Sequence, residues 1–398
     1  MFEILRVFFR LGLTSFGGPV AHIGYFHREF VAKQRWVTDA QFNGWLAVCQ
    51  ALPGPASSQL GFLIGWHRAG PIGALLAWVG FTLPSAFALV LIALYGLDPH
   101  TSWFSPITHG LKIVAIAVVA QAVVGMFRSL CQGWDTRLLA AAGLGMSLTL
   151  GGWAGQVGGI AVGAVVGLIT LRPALRSTQK ETHSAMLGLT HLPNKLTGVT
   201  LLAMMLGLLL VPNWLTQETP LLQMFGEFYR AGALVFGGGH VVLPLLESAT
   251  VSTGLVSNDA FLTGYSLAQA VPGPLFTFAA WLGALNPALP GWAGATVALT
   301  AIFLPGMLLV LAVMPVWQWL SSRPDAMGVL AGINASVVGV LAGAWIHPIV
   351  LTTIGSFTDV VIAITCTGLL LWKKLPAWTM VILGPAMSLI FNWIALSG

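Results

Sequence analysis

The chain has 398 residues, of which 57% are hydrophobic and only 7% are charged, and its formal net charge is +5. Soluble domains carry about 25% charged residues, so this composition excludes a soluble globular protein and indicates an integral membrane protein. The positive charge does not indicate a nucleic-acid-binding protein, because the basic residues lie in short loops between apolar segments.

Apolar segments recur along the chain, and we predict that each is helical because none alternates like a β-barrel strand. A membrane-spanning helix needs about 20 residues, so most of these segments are long enough. The predicted segments are 8–20, 42–66, 72–95, 107–127, 138–150, 153–171, 197–212, 225–243, 260–285, 292–313, 328–347, 352–371 and 377–396. We expect no cleaved signal peptide, because the first residues run straight into apolar sequence.

Two helix-breaking hexapeptides interrupt these segments: Gln50-Ala-Leu-Pro-Gly-Pro55 and Gln269-Ala-Val-Pro-Gly-Pro274. Proline lacks an N–H group and fixes φ, so in the first copy a helix must end near Leu52 and another must begin near Ala56. Broken backbone at membrane depth is tolerated only where it is buried or lines a polar cavity. A pair of such breaks in the two halves of a membrane protein is typical of a transport site.

The two hexapeptides belong to an internal repeat with a spacing near 220 residues. Phe16-Gly17-Gly18 matches Phe236-Gly237-Gly238, and Leu83-Pro84 matches Leu304-Pro305. We therefore predict a duplicated unit. Its parts are an N-terminal repeat over 1–171, a basic linker with one transmembrane helix (about 197–212) over 172–219, and a C-terminal repeat over 220–398.

The basic loops predict the orientation of the two copies, because cytoplasmic loops carry the excess of Lys and Arg. If 42–66 enters the membrane and returns at its PGP, every loop alternates, and the single helix 197–212 inverts the second copy. The predicted fold is an all-α integral membrane protein with two inverted-topology repeats, broken at FGG and PGP and joined by one odd transmembrane helix. Segments 8–20 and 225–243 must then re-enter or lie at the interface. Thirteen single crossings are the competing count.

The breaks supply the candidate substrate-binding residues. Helices that restart after a break present free backbone N–H groups and a positive dipole end, which bind anions, and glycine lets the backbone approach a ligand. A kink that only aids helix packing is the alternative, and the matching of the two copies disfavours it. The candidates at the breaks are Gly17, Gly18, Gln50, Gly54, Ser57, Ser58, Gly237, Gly238, His240, Gln269, Gly273 and Thr277.

Arg10 and Arg230 complete this predicted site, each six residues before an FGG triplet. An arginine in apolar sequence is costly and therefore suggests a function, and its planar fork suits a tetrahedral oxyanion. Snorkelling to the interface is the alternative for Arg10. For Arg230 the alternative is an ion pair with Glu227, one turn earlier.

Acidic residues are candidates for a proton or counter-ion site, although for Glu29 we favour a loop salt bridge with Arg28. The three candidates are Glu29, Glu227 and Glu247. Asp39 and Asp259 precede helices, so we predict that they are N-caps. Asn334 and Asp359 are further polar residues that could line a pathway.

Enzyme, cofactor and metal signatures are missing from the sequence. It has no HExxH, GxSxG or P-loop motif and no Cys/His cluster with zinc spacing. We interpret the three separated cysteines as reduced packing residues. The sequence therefore predicts a protein that is not an enzyme, binds no metal and holds no cofactor.

The four breaks, in this order, resemble the chromate ion transporter (CHR) superfamily in its long, two-domain type, over nearly the whole chain. The motifs that carry the resemblance are Phe16-Gly-Gly-Pro19, Gln50-Ala-Leu-Pro-Gly-Pro55, Phe236-Gly-Gly-Gly-His240 and Gln269-Ala-Val-Pro-Gly-Pro274. The resemblance implies a multi-pass protein of the bacterial inner membrane that exports chromate and confers resistance. It also implies that the membrane potential or an ion gradient drives export, with sulfate as a competing anion.

Function is therefore expected to be secondary active export of chromate. The alternative is a sulfate or other oxyanion carrier with incidental chromate traffic, because both anions are tetrahedral dianions. An intramembrane enzyme lacks a catalytic constellation, and a channel would need a continuous pore. The expected partners are chromate, sulfate and the lipid bilayer, with no nucleic acid. The sequence leaves the oligomeric state open, a homodimer included.

Overall fold

A computed structural model describes residues 1–96, 104–171, 189–191, 193–210, 219–373 and 375–397. Every regular element in these ranges is helical, in agreement with the all-α prediction. The first half contains α1 (Phe2–Thr14), α2 (Gly18–Phe26), α3 (Asp39–Ala51), α4 (Ala56–Leu91), α5 (Phe104–Leu130), α6 (Trp134–Leu150) and α7 (Gly152–Thr170). The rest contains α8 (Lys195–Leu209), α9 (Pro220–Ala233), α10 (Val242–Thr250), α11 (Asn258–Ala270), α12 (Phe278–Ala284), α13 (Gly291–Val313), α14 (Trp317–Ser321), α15 (Pro324–Ala344), α16 (Phe357–Leu371) and α17 (Ala377–Ser397).

Six helical stretches in the described ranges are long and apolar enough to cross a membrane. They are Ala56–Gly96, Ser105–Leu130, Gly152–Thr170, Gly291–Val316, Pro324–Thr353 and Ala377–Ile394. The number is smaller than the number of apolar segments because the breaks divide several segments into half-length helices. Most of the predicted basic linker, 172–188 and 211–218, lies outside the described residues.

The first PGP motif forms the tip of a helical hairpin. Helix α3 ends one residue before the predicted position, and α4 begins at the predicted one. Helix α4 itself breaks where Ala69 and Gly70 leave helical geometry, and its second limb folds back on its first. The Arg68 guanidinium lies 5.3 Å from the centre of the Trp36 ring, so the chain before α3 and the chain after the first limb of α4 meet. The segment 39–68 is therefore a hairpin whose two ends lie close together.

The first FGG motif makes a similar turn. Gly17 and Gly18 have φ of 102° and 76°, which lets the chain reverse between α1 and α2. Phe8 of α1 stacks on Phe30 in the π-helical continuation of α2, with ring centres 4.8 Å apart, and meets Phe26 edge-on. Helices α1 and α2 thus lie side by side, with the glycines at the tip.

The second half repeats this order of elements. Helix α1 packs against α4 in the first half, and α9 packs against α13 in the second. A Cβ on Gly65 would strike the carbonyl of Gly73, and a Cβ on Gly73 would strike that of Gly65. Gly283 and Gly294 have the same mutual contact between α12 and α13. In each half, the helix that follows the PGP therefore packs through a glycine pair against the next helical stretch, which is the second limb of α4 in the first half and α13 in the second.

Helices α6 and α7 pack against α15 through small residues that let the backbones approach. A Cβ on Gly163 would lie 2.6 Å from the carbonyl oxygen of Gly332, and Ser336 donates from Oγ to the carbonyl of Gly159 at 2.7 Å. The three cysteines are buried and free, as predicted.

Three local predictions were wrong. Thr38 caps α3, with Asp39 inside the first turn and bonded to His27 at 2.6 Å. Ser257 caps α11, so Asp259 is not the cap either. Hydroxyl caps and carboxylates compete for the same orphan N–H groups, and in both helices the hydroxyl occupies the position with extended backbone. Glu29 pairs with residues other than Arg28, as described below.

Candidate substrate site

Glycines with left-handed backbone lie at the tip of every hairpin, as the breaks require. The φ angles are 102° at Gly17, 76° at Gly18, 121° at Gly54, 77° at Gly237, 141° at Gly238 and 109° at Gly273. Equivalent positions in the two halves therefore share the same unusual backbone region. Side-chain-bearing residues rarely adopt it, which explains why glycine stands at each of these positions.

The tips of the two halves are joined by a reciprocal pair of backbone hydrogen bonds. The N–H of Gly54 in the first PGP donates to the carbonyl of Val235, just before the second FGG, at 2.7 Å. The N–H of Gly273 in the second PGP donates to the carbonyl of Ser15, just before the first FGG, at 3.0 Å. Each PGP tip is thus bonded to the FGG tip of the other half.

Close contacts of the tip glycines with the long helices also join each half to the other. A Cβ on Gly54 would lie 3.2 Å from Cα of Gly306, and a Cβ on Gly273 would lie 2.6 Å from Oγ of Ser85. Gly306 and Ser85 are equivalent, since each follows the Leu-Pro pair of a long helix. A Cβ on Gly239 would lie 3.5 Å from the Pro19 ring, so the two FGG tips also meet. All four breaks therefore converge on one place.

Buried polar side chains of the first half surround this convergence. His22 is fully buried, and its Nε2 lies 3.2 Å from the carbonyl oxygen of Ser15 while its Nδ1 lies 3.4 Å from Oγ of Ser57. Because a carbonyl can only accept, Nε2 carries the hydrogen and Nδ1 can accept from Ser57. The predicted residues Ser57 and Ser58 are thus inside the protein, at the start of α4.

Several hydroxyl groups here have no hydrogen-bond partner among the described residues. They belong to Ser15, Ser58 and Thr82, and all three side chains are at least nine-tenths buried. Ser58 and Thr82 line one narrow gap between the two limbs of α4, which is too small for a water molecule. A buried donor without an acceptor costs about 1–3 kcal/mol, so these groups favour a ligand that brings acceptor oxygens.

The second half contributes a different set of polar groups. Nδ1 of His240 lies 2.8 Å from the hydroxyl of Tyr265, and Nε2 of Gln269 is buried with no hydrogen-bond partner in the described ranges. The Thr277 hydroxyl donates to the carbonyl of Pro274 at 2.8 Å, and the Thr277 N–H uses the same carbonyl. The chain restarts after this PGP as a 3₁₀ turn, unlike α4, so the two helix starts are not equivalent.

Gln59 ties the first PGP break to α13 of the second half, and sequence reasoning missed it. Its Nε2 donates to the carbonyl of Pro53 and to the carbonyl of Gly306, both at 2.9 Å, and the side chain is fully buried. His22 was also missed, because its spacing from His27 fits no metal site. A signal existed for both, since each is a polar residue in an apolar segment within a few positions of a break.

The predicted Arg10 forms an ion pair between α1 and the π-helical continuation of α2. Its guanidinium lies 2.5 Å from Oε1 of Glu29, and half of its side chain is exposed. Glu29 also lies 3.5 Å from Lys33 and accepts from Gln34 at 2.9 Å. Burial raises the pKa of Glu29, but the Gln34 hydrogen bond and the Arg10 charge outweigh it, so the pKa lies below its ordinary value.

The remaining candidates lie apart from one another. Arg230 pairs with Glu227 at 3.2 Å, the ion pair that the sequence offered as an alternative. Glu247 accepts from Ser252 at 3.3 Å, and burial raises the pKa of the Glu247 carboxyl. Gln50 is exposed, whereas its counterpart in the second half is largely enclosed. The described residues contain no cluster of three or more metal-ligating side chains.

Comparison with known proteins points to one family. The family model described as chromate transporter matches residues 2–172 and 222–389. The chain is 28% identical to the chromate transport protein of Cupriavidus metallidurans over 395 residues, which cover 97% of this chain and 91% of the relative. It is 27% identical to the probable chromate transport protein of Synechococcus elongatus over 356 residues, which cover 86% and 83%. The chromate transport protein of Pseudomonas aeruginosa is 26% identical, with 86% and 80% covered. No solved structure matches the chain.

Proposed function

This chain belongs to the chromate transporter family, and we propose that it exports chromate from the cytoplasm as a secondary active transporter and so confers chromate resistance. The observation that carries the proposal is the reciprocal pair of hydrogen bonds from Gly54 to Val235 and from Gly273 to Ser15. Together they bring four helix breaks to one place, as expected of a midplane transport site. The names of the relatives supply the substrate.

Chromate suits the chemistry at the breaks. It is a tetrahedral dianion with four acceptor oxygens, and the buried hydroxyls of Ser15, Ser58 and Thr82 are donors without acceptors among the described residues. An anion that has lost its hydration water needs such donors, because the protein interior offers no water. In this proposal the glycines at the tips let backbone N–H groups reach the anion, and Ser57, His240 and Thr277 position the neighbouring backbone.

The two hydrogen bonds between the halves also suggest how the site becomes accessible to one side of the membrane and then to the other. Each PGP tip is held by the opposite half, so a rotation of one half against the other must alter both hydrogen bonds together. In the proposal, 1–171 and 220–398 are inverted repeats of a protein of the bacterial inner membrane. Their rocking exposes the site to one face at a time.

Arg10 and Arg230 have a proposed role in recruiting the anion. Both are held by carboxylates, Glu29 and Glu227 respectively. A dianion that displaces such a carboxylate would gain a charge-assisted, bidentate contact. In the proposal, the glutamate carboxylate holds the arginine until the anion replaces it. The arginine therefore leaves its glutamate only when substrate is present. Glu29, Glu227 and Glu247 stay proposals for counter-ion or proton binding.

The test is uptake of labelled chromate into inside-out vesicles that contain the protein, with sulfate as competitor. Saturable uptake that collapses with an ionophore supports a driven chromate exporter. No uptake above empty vesicles, with folded protein present, would overturn the chromate assignment. Saturable sulfate uptake in the same vesicles would then favour the sulfate carrier.

Arginine variants locate the site within the same assay. Arg10→Ala and Arg230→Ala are expected to lower chromate uptake at least about tenfold, because each removes a charge-assisted contact of about 1.5–3 kcal/mol. Arg128→Ala is the matched control, since Arg128 is an exposed residue at the end of α5. Normal uptake by both site variants at equal expression would refute their role.

A further inference from the structure

A polar cavity of about 290 Å³ lies apart from the helix breaks, between α5, α16 and α17. Its volume has room for several water molecules, since each occupies about 30 Å³ of liquid. His109 and Asp359 line it together with the hydroxyls of Ser356 and Ser388 and the amide of Asn392. A cavity lined by hydroxyl and amide groups within apolar helices is well suited to hold water and conduct protons.

His109 and Asp359 form a fixed dyad in this cavity. Nε2 of His109 lies 2.7 Å from Oδ1 of Asp359, and Asp359 is only 4% exposed. The other carboxylate oxygen accepts from the N–H groups of Gly355 and Ser356, both at 2.9 Å. The carboxylate therefore receives donors on both oxygens, which makes Nε2 the nitrogen that carries hydrogen. Nδ1 remains to accept a proton.

Other titratable groups lie on α5 and on the elements packed against it. Lys112, one turn from His109, is paired with Asp259 of α11 at 2.9 Å. The elements packed against α5 hold the remaining titratable groups, and α17 has none among its described residues. These groups are Tyr265 on α11, Asp325 at the start of α15, His347 in the segment Trp345–Val350 and the Cys366 thiol on α16.

Helix α5 connects the dyad to both breaks of the second half. Two residues beyond His109, the carbonyl of Leu111 accepts from Oγ of Ser266 at 2.5 Å, which ties α5 to the helix that ends at the second PGP. Toward its other end, Met126 covers the second FGG, since a Cβ on Gly237 would lie 3.0 Å from its methyl carbon. A shift of α5 therefore reaches both tips.

We propose that His109 and Asp359 form a proton-binding site that couples proton uptake to the transport cycle, an inference that rests on the proposed transport function. A proton adds to Nδ1 of His109, and the resulting imidazolium is balanced by the Asp359 carboxylate. Ser105 and Pro106 at the start of α5 line the cavity, and the basic-residue pattern predicts this end of α5 to face the outside, so the proton enters from that face. The ion pair of imidazolium and carboxylate holds α5 against α16. Loss of the proton leaves a neutral imidazole beside the Asp359 carboxylate, and this weaker contact lets α5 move.

His109→Gln is the test variant, because an amide can still donate to Asp359 but does not titrate. We expect wild-type chromate transport to change several-fold between about pH 5.5 and pH 7.5 at the outer face, and transport by H109Q to change less than about twofold. His27→Gln is the matched control, because His27 makes the same kind of bond to Asp39 at 2.6 Å in an exposed position. An unchanged pH profile in H109Q overturns the coupling.

A second readout separates this inference from the transport proposal. In protein labelled with ¹⁵N-histidine, the signal absent from H109Q identifies His109. We expect that signal to report proton uptake at Nδ1 when the medium is acidified, and this response to differ in Asp359→Asn. A His109 signal that does not titrate overturns the proton site even if chromate is transported. Conversely, if the vesicles take up no chromate, the chromate assignment fails, and the pH response of the His109 signal still tests the proton site.

Discussion

Gly54 and Gly273 combine left-handed backbone with close contacts across the two halves. A Cβ on Gly54 would lie 3.2 Å from Cα of Gly306 in the other half and 2.7 Å from Nε2 of Gln59, and left-handed backbone alone costs a side-chain-bearing residue about 1–2 kcal/mol. We expect Gly54→Ala to lower the midpoint of thermal unfolding in detergent and to abolish chromate uptake. Gly145→Ala is the control, because its Cβ would meet nothing within 4 Å and alanine favours a helix. Equal stability of the two variants would contradict the crossed contact.

Gln59 donates one amide group to two carbonyls from different halves of the chain. In Gln59→Glu the donor becomes an acceptor, and both carbonyls lose their partner at a cost of about 1–3 kcal/mol each. We expect a clear loss of thermal stability and of uptake. Gln132→Glu makes the same chemical change on the surface, where the amide only reaches Ser129 at 3.4 Å, and should be neutral. A stable, active Gln59→Glu protein would show that these bonds are dispensable.

Residue-level partners were the least predictable part of the site. Pro, Gly and Phe at the breaks dictate backbone geometry over a few residues, so the sequence located the helix ends near Leu52 and Ala56 almost correctly. Gln59 and Gly306 are 247 positions apart, and no local rule pairs them. Similarly, Glu29 pairs with Arg10 and not with its neighbour Arg28, because the turn at FGG brings α1 alongside the continuation of α2.

At the scale of helices, the contact of α7 with α15 depends on glycine. A Cβ on Gly332 would overlap the carbonyl of Gly163, and a Cβ on Gly163 would lie 2.6 Å from that of Gly332. We expect Gly163→Ala and Gly332→Ala each to lower thermal stability by forcing the helices apart. The double variant should cost less than the sum of the two, since one separation relieves both contacts. Additive losses would indicate independent sites, and Gly207→Ala on open surface is the control.

The hairpin of α1 and α2 should respond to acid through Glu29. Its pKa is lowered in the folded state, so its stabilising effect is complete above the ordinary glutamate value of about 4.3 and is lost as the pH falls through the lower, folded-state value. We expect Glu29→Gln to be less stable than wild type near neutral pH and equally stable in strong acid. Glu3→Gln is the control, because Glu3 is exposed and 3.8 Å from Arg68. A difference in stability that persists at low pH would exclude the ion pair as its cause.

Across the whole molecule, composition and the repeated breaks were enough to predict an all-α membrane protein. The pattern could not predict that Gly54 and Gly273 bond to the opposite half, because a repeat in sequence says nothing about which copies touch. It also suggested equivalent helix starts after each PGP. The structure has a helix after the first and a 3₁₀ turn after the second, where Thr277 bonds back to Pro274.

Antiparallel repeats make a prediction about the two faces of the membrane. The loops before α3 and before α11 are equivalent in sequence, so inversion places them on opposite sides, with the Lys- and Arg-bearing loop inside. Ala32, near the end of the π-helical continuation of α2, and Thr253 are exposed in these connections, and the native cysteines are buried, so background labelling should be low. We expect an impermeant maleimide to label Thr253→Cys on intact cells and Ala32→Cys only after permeabilisation. Labelling of both from one side would make the repeats parallel, and a rotation about crossed tips could not then expose the site to each face in turn.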